Sequence, residues 1–436
     1  MLVGFEARNF GGISQLRLGL ESQALAHYLT KPESRREILK RIYPLTPITA
    51  LIGPNGSGKS TILTALNCLS LLFSEPIPVS EDSYLTMTRA PQAILGMRPR
   101  HIHRVEERVM RWIVYLLDRK HRKIYRYDLA LELDELDPGE TRSDAMHILA
   151  EALSVSSIEL GLIKLCAGKR RSFALDAIEA DELAPTEVLF YRRRNRLRAL
   201  SKHEDFSLDP TWDNRPVAAL VQNQAKSSAL EPLRAYFSES DSAAIDRFAE
   251  LLSGIELDLH LDLASNLESL ELPDIRDIVK HNSHLALHQR EAGHILAKLD
   301  ADLKRNRSLK QTLSDLSGAE KRALVILDHL QKARSGSIFA FESPEQNLYP
   351  DNVEILAAAI RRVTHEVSNS QIFLTSHYPN FLDHFSPKEI WCFQRSEDES
   401  GGAVIKPPYC LAENELVREM LHEGVYLSQL WYGGYF

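Results

Sequence analysis

The run Gly53-Pro-Asn-Gly-Ser-Gly-Lys-Ser60 satisfies every constrained position of the phosphate-binding loop G-x-x-x-x-G-K-[ST], and Thr61 follows it. The flanking sequence has the form this loop requires. Ile48 to Ile52 reads as a short buried strand, and Ser60 to Phe73, rich in Ile, Leu and Ala, reads as a helix. Gly53, Gly56 and Gly58 let the loop amides, including those of Asn55 and Ser57, turn inward around phosphate oxygens. The helix N-terminus adds its positive dipole end. Lys59 can reach the β- and γ-phosphates, and the Ser60 hydroxyl can ligate Mg²⁺. Few folds satisfy that strand, loop and helix together, and they hold a nucleoside triphosphate.

The rest of the composition fits a large globular chain. At 436 residues, with 44% apolar and 26% charged side chains, two substantial units can each bury a core. No apolar stretch of about 18 residues appears, so no membrane span is expected. The opening Met-Leu-Val-Gly-Phe-Glu-Ala-Arg places charge where a signal peptide would need an apolar centre. Cys68, Cys166, Cys392 and Cys410 are isolated, which points to reduced thiols and a cytoplasmic chain rather than to zinc or disulfides. A net charge of −8 argues against a surface that coats nucleic acid throughout, although it leaves room for a local basic groove.

Two alternating segments, Leu2 to Arg8 and Ile13 to Leu20, predict a hairpin turned by Asn9-Phe-Gly-Gly12. A short helix with Ser34 as cap and Glu37 three residues on should end before Pro44. Met110 to Leu117 and Ile124 to Leu133 read as strands around a basic turn. Residues 144–155, 228–237, 242–254 and much of 275–312 read as helix. There is no internal repeat and no sustained heptad series.

A second cluster of chemistry-bearing residues lies near the other end. Leu316-Ser-Gly-Ala-Glu-Lys321 opens an apolar helix, with Ser317 and Glu320 spaced as a capping box; that pattern alone marks a well-started helix. Ser337-Ile-Phe-Ala-Phe-Glu342 follows as an apolar strand ending in a carboxylate, then Ser343-Pro-Glu345 and Leu348-Tyr-Pro350. Gln371 to Thr375 is another buried strand and delivers Ser376-His377 at its end. Ligands of open α/β sheets sit at strand C-termini, so Lys59, Glu342 and His377 can share one site.

This order of phosphate loop, LSG-x-E signature, acidic strand end and histidine resembles the ATP-binding-cassette (ABC) ATPases. The similarity is to their RecF, Rad50 and SMC branch, and within it to the AAA-21/AAA-15 ATPases close to the OLD family. It covers roughly residues 1–75 and 305–436, including Asn9-Phe10 and the closing Leu427-Ser-Gln-Leu-Trp-Tyr-Gly-Gly434. The fold it implies is α/β: an ABC-type ATPase head, with a mixed central sheet flanked by helices, interrupted by a large, mainly helical insertion. Residues 1–75 would form the first part of the head, 76–304 the insertion, mainly helical with some strands, and 305–436 the second part.

The resemblance also implies roles. ATP and Mg²⁺ are the expected cofactors, with Ser60 and Glu342 organising the metal. Ser317 and Gly318 would contact the γ-phosphate held by a second subunit, Glu320 belongs to the same signature, and His377 would sense that phosphate. The working unit is then a homodimer or higher oligomer with shared ATP sites, in which ATP favours the closed state. Two departures matter. Ser343 stands where the family places its general-base glutamate, and a serine hydroxyl cannot take a proton from water as a carboxylate does. Either Glu345 substitutes or turnover is slow and binding itself is the signal. Ala319 replaces the second glycine of the signature, and Gln92 is the candidate for the metal-site glutamine.

Other signals are more ambiguous. Tyr191 to Arg198 is the densest basic run, and Arg192, Arg193, Arg194, Arg196 and Arg198 can track nucleic-acid phosphates or form a solvated face. Arg98 to Arg126 adds a diffuse second cluster. His281, His284 and His288 share a helical face without a cysteine or carboxylate to complete a metal set, and His101-Ile-His103 offers less. Trp391 and Trp431 read as packing residues. No nuclease motif is visible, so a cutting activity would belong to a separate effector protein, as in the ATPase halves of the Septu and PARIS anti-phage systems that the chain resembles. A RecF-like ATPase acting directly on DNA is the open alternative. A transporter ATPase fits the signature poorly.

Overall fold

A computed structural model describes residues 1–11, 13–31, 35–74, 109–133, 146–167, 186–199, 205–208, 215–222, 231–253, 273–280, 299–302, 313–367, 369–397 and 403–436, with a few single residues between them. The chain divides into two compact units. The first comprises residues 1–46, 55–257 and 393–408, and the second 47–54, 258–392 and 409–436.

The first unit is built on an eight-stranded sheet in the order β2-β1-β4-β5-β6-β7-β8-β9. Its strands are β1 (Leu2–Phe10), β2 (Ile13–Gly19), β4 (Val109–Asp118), β5 (Lys123–Leu133), β6 (Met146–Ser157), β7 (Glu187–Arg193), β8 (Arg196–Ala199) and β9 (Phe206–Ser207). All of its strand pairs are antiparallel. The expected hairpin and the strand pair around the basic turn are both present. At Gly4, a Cβ would lie 2.2 Å from the Leu20 carbonyl oxygen, so only glycine lets the chain pass there. Along β5, Tyr127, Leu129, Leu131 and Leu133 are buried at two-residue spacing, while Arg126, Asp128 and Glu132 lie on the more open face.

One reading of this region is corrected. Residues 146–157, overlapping the stretch read as helix at 144–155, form strand β6, paired with β5 on one side and β7 on the other. His147-Ile-Leu-Ala-Glu-Ala-Leu153 is rich in helix formers, but two ladders of cross-strand bonds outweigh so weak a local preference. The interval 76–304, read as mainly helical with some strands, carries six strands among its described residues, and β4 pairs directly with β1. Helices expected near 228–237 and 242–254 are present as Glu231–Tyr236 and Glu239–Ser253. Ser34, Gln92, His101, His103, His281, His284 and His288 lie outside the described residues.

Helices α1 (Ser22–Thr30), α2 (Arg35–Arg41), α3 (Lys59–Ser74), α4 (Leu160–Cys166), α5 (Val217–Gln222), α6 (Glu231–Tyr236) and α7 (Glu239–Ser253) complete this unit. The helix that leaves the phosphate loop, α3, is anchored by Phe73. Its ring stands 5.6 Å from Tyr127 and 5.9 Å from Phe248 of α7, both edge-on. Such pairs add about 0.5–1.5 kcal/mol each beyond their buried area.

The second unit holds the sheet β10-β11-β3-β12-β13, with β3 (Ile48–Ile52), β10 (Ile338–Glu342), β11 (Gln371–Ser376), β12 (Ile390–Glu397) and β13 (Ala403–Cys410). Strands β10, β11, β3 and β12 run parallel. Every residue of β3 and β11 is buried, the continuous burial of a parallel strand covered on both faces. Helices α8 (Gly318–Gln331) and α9 (Pro350–Glu366) share its core through Leu324, Ile326, Leu327, Leu356 and Ile360. The unit ends in α10 (Pro379–Leu382), α11 (Glu415–His422) and α12 (Leu427–Tyr432). The Ser428 hydroxyl and N–H donate to Asp383 at 2.6 and 2.9 Å, fastening α12 just behind α10. Trp391 is buried and Trp431 packs against the core, as expected of packing residues. All four cysteines are buried, and none forms a disulfide. No described helix is long and apolar enough to cross a membrane.

Candidate nucleotide site

Strand register builds the site. Glu342 pairs with Thr375, and Ser376 pairs with Ile52, so β10, β11 and β3 end along one edge of the sheet. That edge carries Glu342, then Ser376-His377, then Gly53, where the phosphate loop begins. Ligands of open parallel sheets bind at this edge. The loop backbone has the conformations its glycines allow: φ is +136° at Gly53, +74° at Gly56 and +94° at Gly58. Ser57, Gly58 and Lys59 are buried, whereas Asn55, Gly56 and Ser60 are exposed and Thr61 is half-buried. Lys59 Nζ lies 3.5 Å from Ser57 Oγ. Amides turned by left-handed glycines, with a lysine and a serine at the following helix start, suit the phosphates of a nucleotide.

Facing the strand ends, α8 starts as a capping box. The Glu320 N–H donates to Ser317 Oγ at 3.2 Å, and the Ser317 N–H donates to Glu320 Oε2 at 2.8 Å. Ser317 and Gly318 are exposed, and a Cβ at Gly318 would meet nothing within 4 Å. The signature is therefore an open surface. One turn on, Arg322 donates from Nη2 to the Glu342 carbonyl oxygen. That bond ties the signature helix to the acidic strand end, and nothing in the sequence motifs announced it.

Past β10 the chain turns sharply. Ser343 has φ +44°, and its N–H donates to the Thr375 carbonyl at 3.1 Å and to Thr375 Oγ1 at 3.0 Å. The turn buries Glu345, whose Oε1 accepts from Ser376 Oγ at 2.7 Å and from the His377 N–H at 3.3 Å. Burial pushes the Glu345 carboxyl above the usual carboxylate range, with the Ser376 hydroxyl, nearby N–H groups and Arg322 opposing it. Its other oxygen, Oε2, is buried and has no hydrogen-bond partner among the described residues. Glu342 is half-buried and the His377 side chain is exposed. Among the described residues no group of three or more His, Cys, Asp or Glu side chains converges on a metal.

The basic run lies in the first unit, on the β7–β8 hairpin. Arg193, Arg194, Arg196 and Arg198 are exposed there. Arg192 is not: its side chain is fully buried, 3.7 Å from Glu151, and donates to the carbonyls of Arg194 and Arg215 at 2.6 Å. Alternation along β7 turns it inward, so it is a core residue and not a phosphate contact.

Comparison with known proteins then places these elements in context. Residues 132–383 match the family described as AAA domain, putative AbiEii toxin, Type IV TA system. That interval contains Ser317, Glu342, Glu345 and His377 and begins downstream of the phosphate loop. No curated protein matches the sequence. Among solved structures, an SMC head bound to the C-winged helix domain of ScpA aligns at 13% identity and TM-score 0.38, covering 94% of this chain and 99% of that one. The SMC head domain from Thermotoga maritima aligns at 11% identity and TM-score 0.31, covering 93% and 98%. An SMC head domain with an extended coiled coil, bound to a ScpA domain from Pyrococcus furiosus, aligns at 10% identity and TM-score 0.35, covering 97% and 99%.

Proposed function

Because this chain belongs to the family described as AAA domain, putative AbiEii toxin, Type IV TA system, we propose that it is an ATP-binding subunit whose ATP-dependent assembly regulates a separate effector. The AAA-domain family fits a nucleotide-binding chain. The finer reading is that it turns over slowly, assembles head to tail, and scaffolds a nuclease in anti-phage defence.

One observation carries the nucleotide reading: the common edge at which β3, β10 and β11 deliver Gly53, Glu342 and His377. The loop amides and Lys59 would hold the phosphates, and Ser60 and Glu342 would hold Mg²⁺, which offsets phosphate charge. Ser343 carries no carboxylate, and Glu345 is buried and engaged with Ser376 and His377. A carboxylate so placed supports holding His377 in position more than taking a proton from water, which favours slow hydrolysis. The exposed Ser317 and Gly318 favour completion of the site by another copy, since an open helix start can accept a partner's nucleotide.

The test is to measure Mg-ATP binding, turnover and particle mass with and without nucleotide. Tight binding with slow turnover and an ATP-dependent rise in mass is expected. No binding and an unchanging mass would overturn the proposal. The second reading, direct action on DNA, is favoured only by Arg193, Arg194, Arg196 and Arg198 on the exposed hairpin. It requires DNA-stimulated turnover and salt-sensitive binding.

A further inference from the structure

Strands β12 and β3 run parallel in register, Ile390 beside Ala50, Trp391 beside Leu51 and Cys392 beside Ile52. After Ile52 the β3 backbone leaves the sheet to form the phosphate loop, but β12 continues to Glu397. The extra length runs beside the loop. Three residues beyond the last pair stands Arg395, and a Cβ built on Gly56 would lie 3.4 Å from its Nη1. Gly56, with φ +74°, is held by its own backbone in a conformation that excludes that Cβ. Arg395 is exposed, and it makes no hydrogen bond or ion pair with any described residue.

An exposed arginine is ordinarily a solvated surface cation. This one differs in its place, a guanidinium against the phosphate loop with no described residue engaging its donors. Guanidinium presents five donors in a planar fork that matches phosphate oxygens, and unlike lysine it can bind two of them at once. We infer that Arg395 is a phosphate-positioning residue, a second cation beside Lys59 that binds the phosphate chain of the nucleotide from the β12 side of the loop. The inference rests on the nucleotide reading of the loop. It assigns a function to a strand that the motif pattern leaves unused, and it partly compensates the chain's overall negative charge at the site of an anionic ligand.

Calorimetric titration with Mg-ATP, Mg-ADP and tripolyphosphate tests it on the unaltered chain and on Arg395→Ala, Arg395→Lys and Lys59→Ala. Loss of one charge-assisted contact predicts that Arg395→Ala weakens Mg-ATP about 10- to 100-fold, with tripolyphosphate weakened by a similar factor. Arg395→Lys should recover part of that loss, because charge returns without the fork. If Arg395→Ala binds like the unaltered chain while Lys59→Ala does not bind, the inference fails and the nucleotide reading stands. If Mg-ATP weakens but tripolyphosphate does not, Arg395 stacks on the base and the phosphate assignment fails. If the unaltered chain binds no nucleotide, both fall.

Discussion

The carboxylate of Glu345 holds the hydroxyl of Ser376 at 2.7 Å, joining the turn after β10 to the last residue of β11. The same oxygen takes the His377 N–H, so the backbone that presents the histidine is fixed from the neighbouring strand. Glu345→Ala should leave both donors without a buried acceptor, costing about 1–3 kcal/mol of stability. On the reading above, it should lower ATP turnover while nucleotide binding through Lys59 persists. Thermal melts and single-turnover kinetics would check this; unchanged turnover would remove Glu345 from the site.

Glu345 also predicts a pH response. Its carboxyl is raised in the fold, so the native state binds a proton more readily than the unfolded chain. The stability from that proton is present on the acid side and is lost as pH rises through the folded value. The melting temperature of the unaltered chain should therefore gain on that of Glu345→Gln as pH is lowered from neutral toward the usual glutamate range. A difference that is flat with pH would contradict it.

Asp118 responds in the opposite sense. Burial opposes its ionisation, but hydrogen bonds from Arg247 and His121 outweigh burial and bring the carboxyl down to about 2. Its stabilisation is present above the ordinary aspartate value and is lost as pH falls toward 2. Asp118→Asn should cost about 1–2 kcal/mol at pH 7, allowing for solvent screening of its partners. The cost should shrink below about pH 4, which acid titration of both chains would read.

Lys59→Ala should abolish Mg-ATP binding. Ser317→Arg, at an exposed helix start, should keep nucleotide binding and thermal stability but lose the ATP-dependent rise in mass. Light scattering with and without Mg-ATP separates the two. Assembly persisting in Ser317→Arg would place the signature outside the interface.

The basic hairpin divides in two. Arg192→Ala strands Glu151 as an unpaired buried charge and should cost about 3–5 kcal/mol whether or not DNA is a ligand. Replacing Arg193, Arg194, Arg196 and Arg198 together should leave the fold intact, and any fall in DNA affinity, with a shallower salt dependence, reports direct contact. No change in affinity would leave only the regulatory reading.

By itself, the sequence determined the local elements whose patterns are complete within one segment. Gly53 to Ser60 sets its own loop, Ser317 and Glu320 set their own cap, and the apolar runs at 48–52 and 371–375 can only be buried strands. Tertiary structure decided what depends on partners far along the chain. His147 to Leu153 is a strand because β5 and β7 flank it, and Arg192 is a core residue because β7 turns it toward Glu151. Arg322 and Ser376 bond to Glu342 and Glu345, 20 or more positions away, and Arg395 comes to lie beside Gly56. Local pattern encodes which face is apolar; which other segment that face meets is fixed only when the whole chain packs.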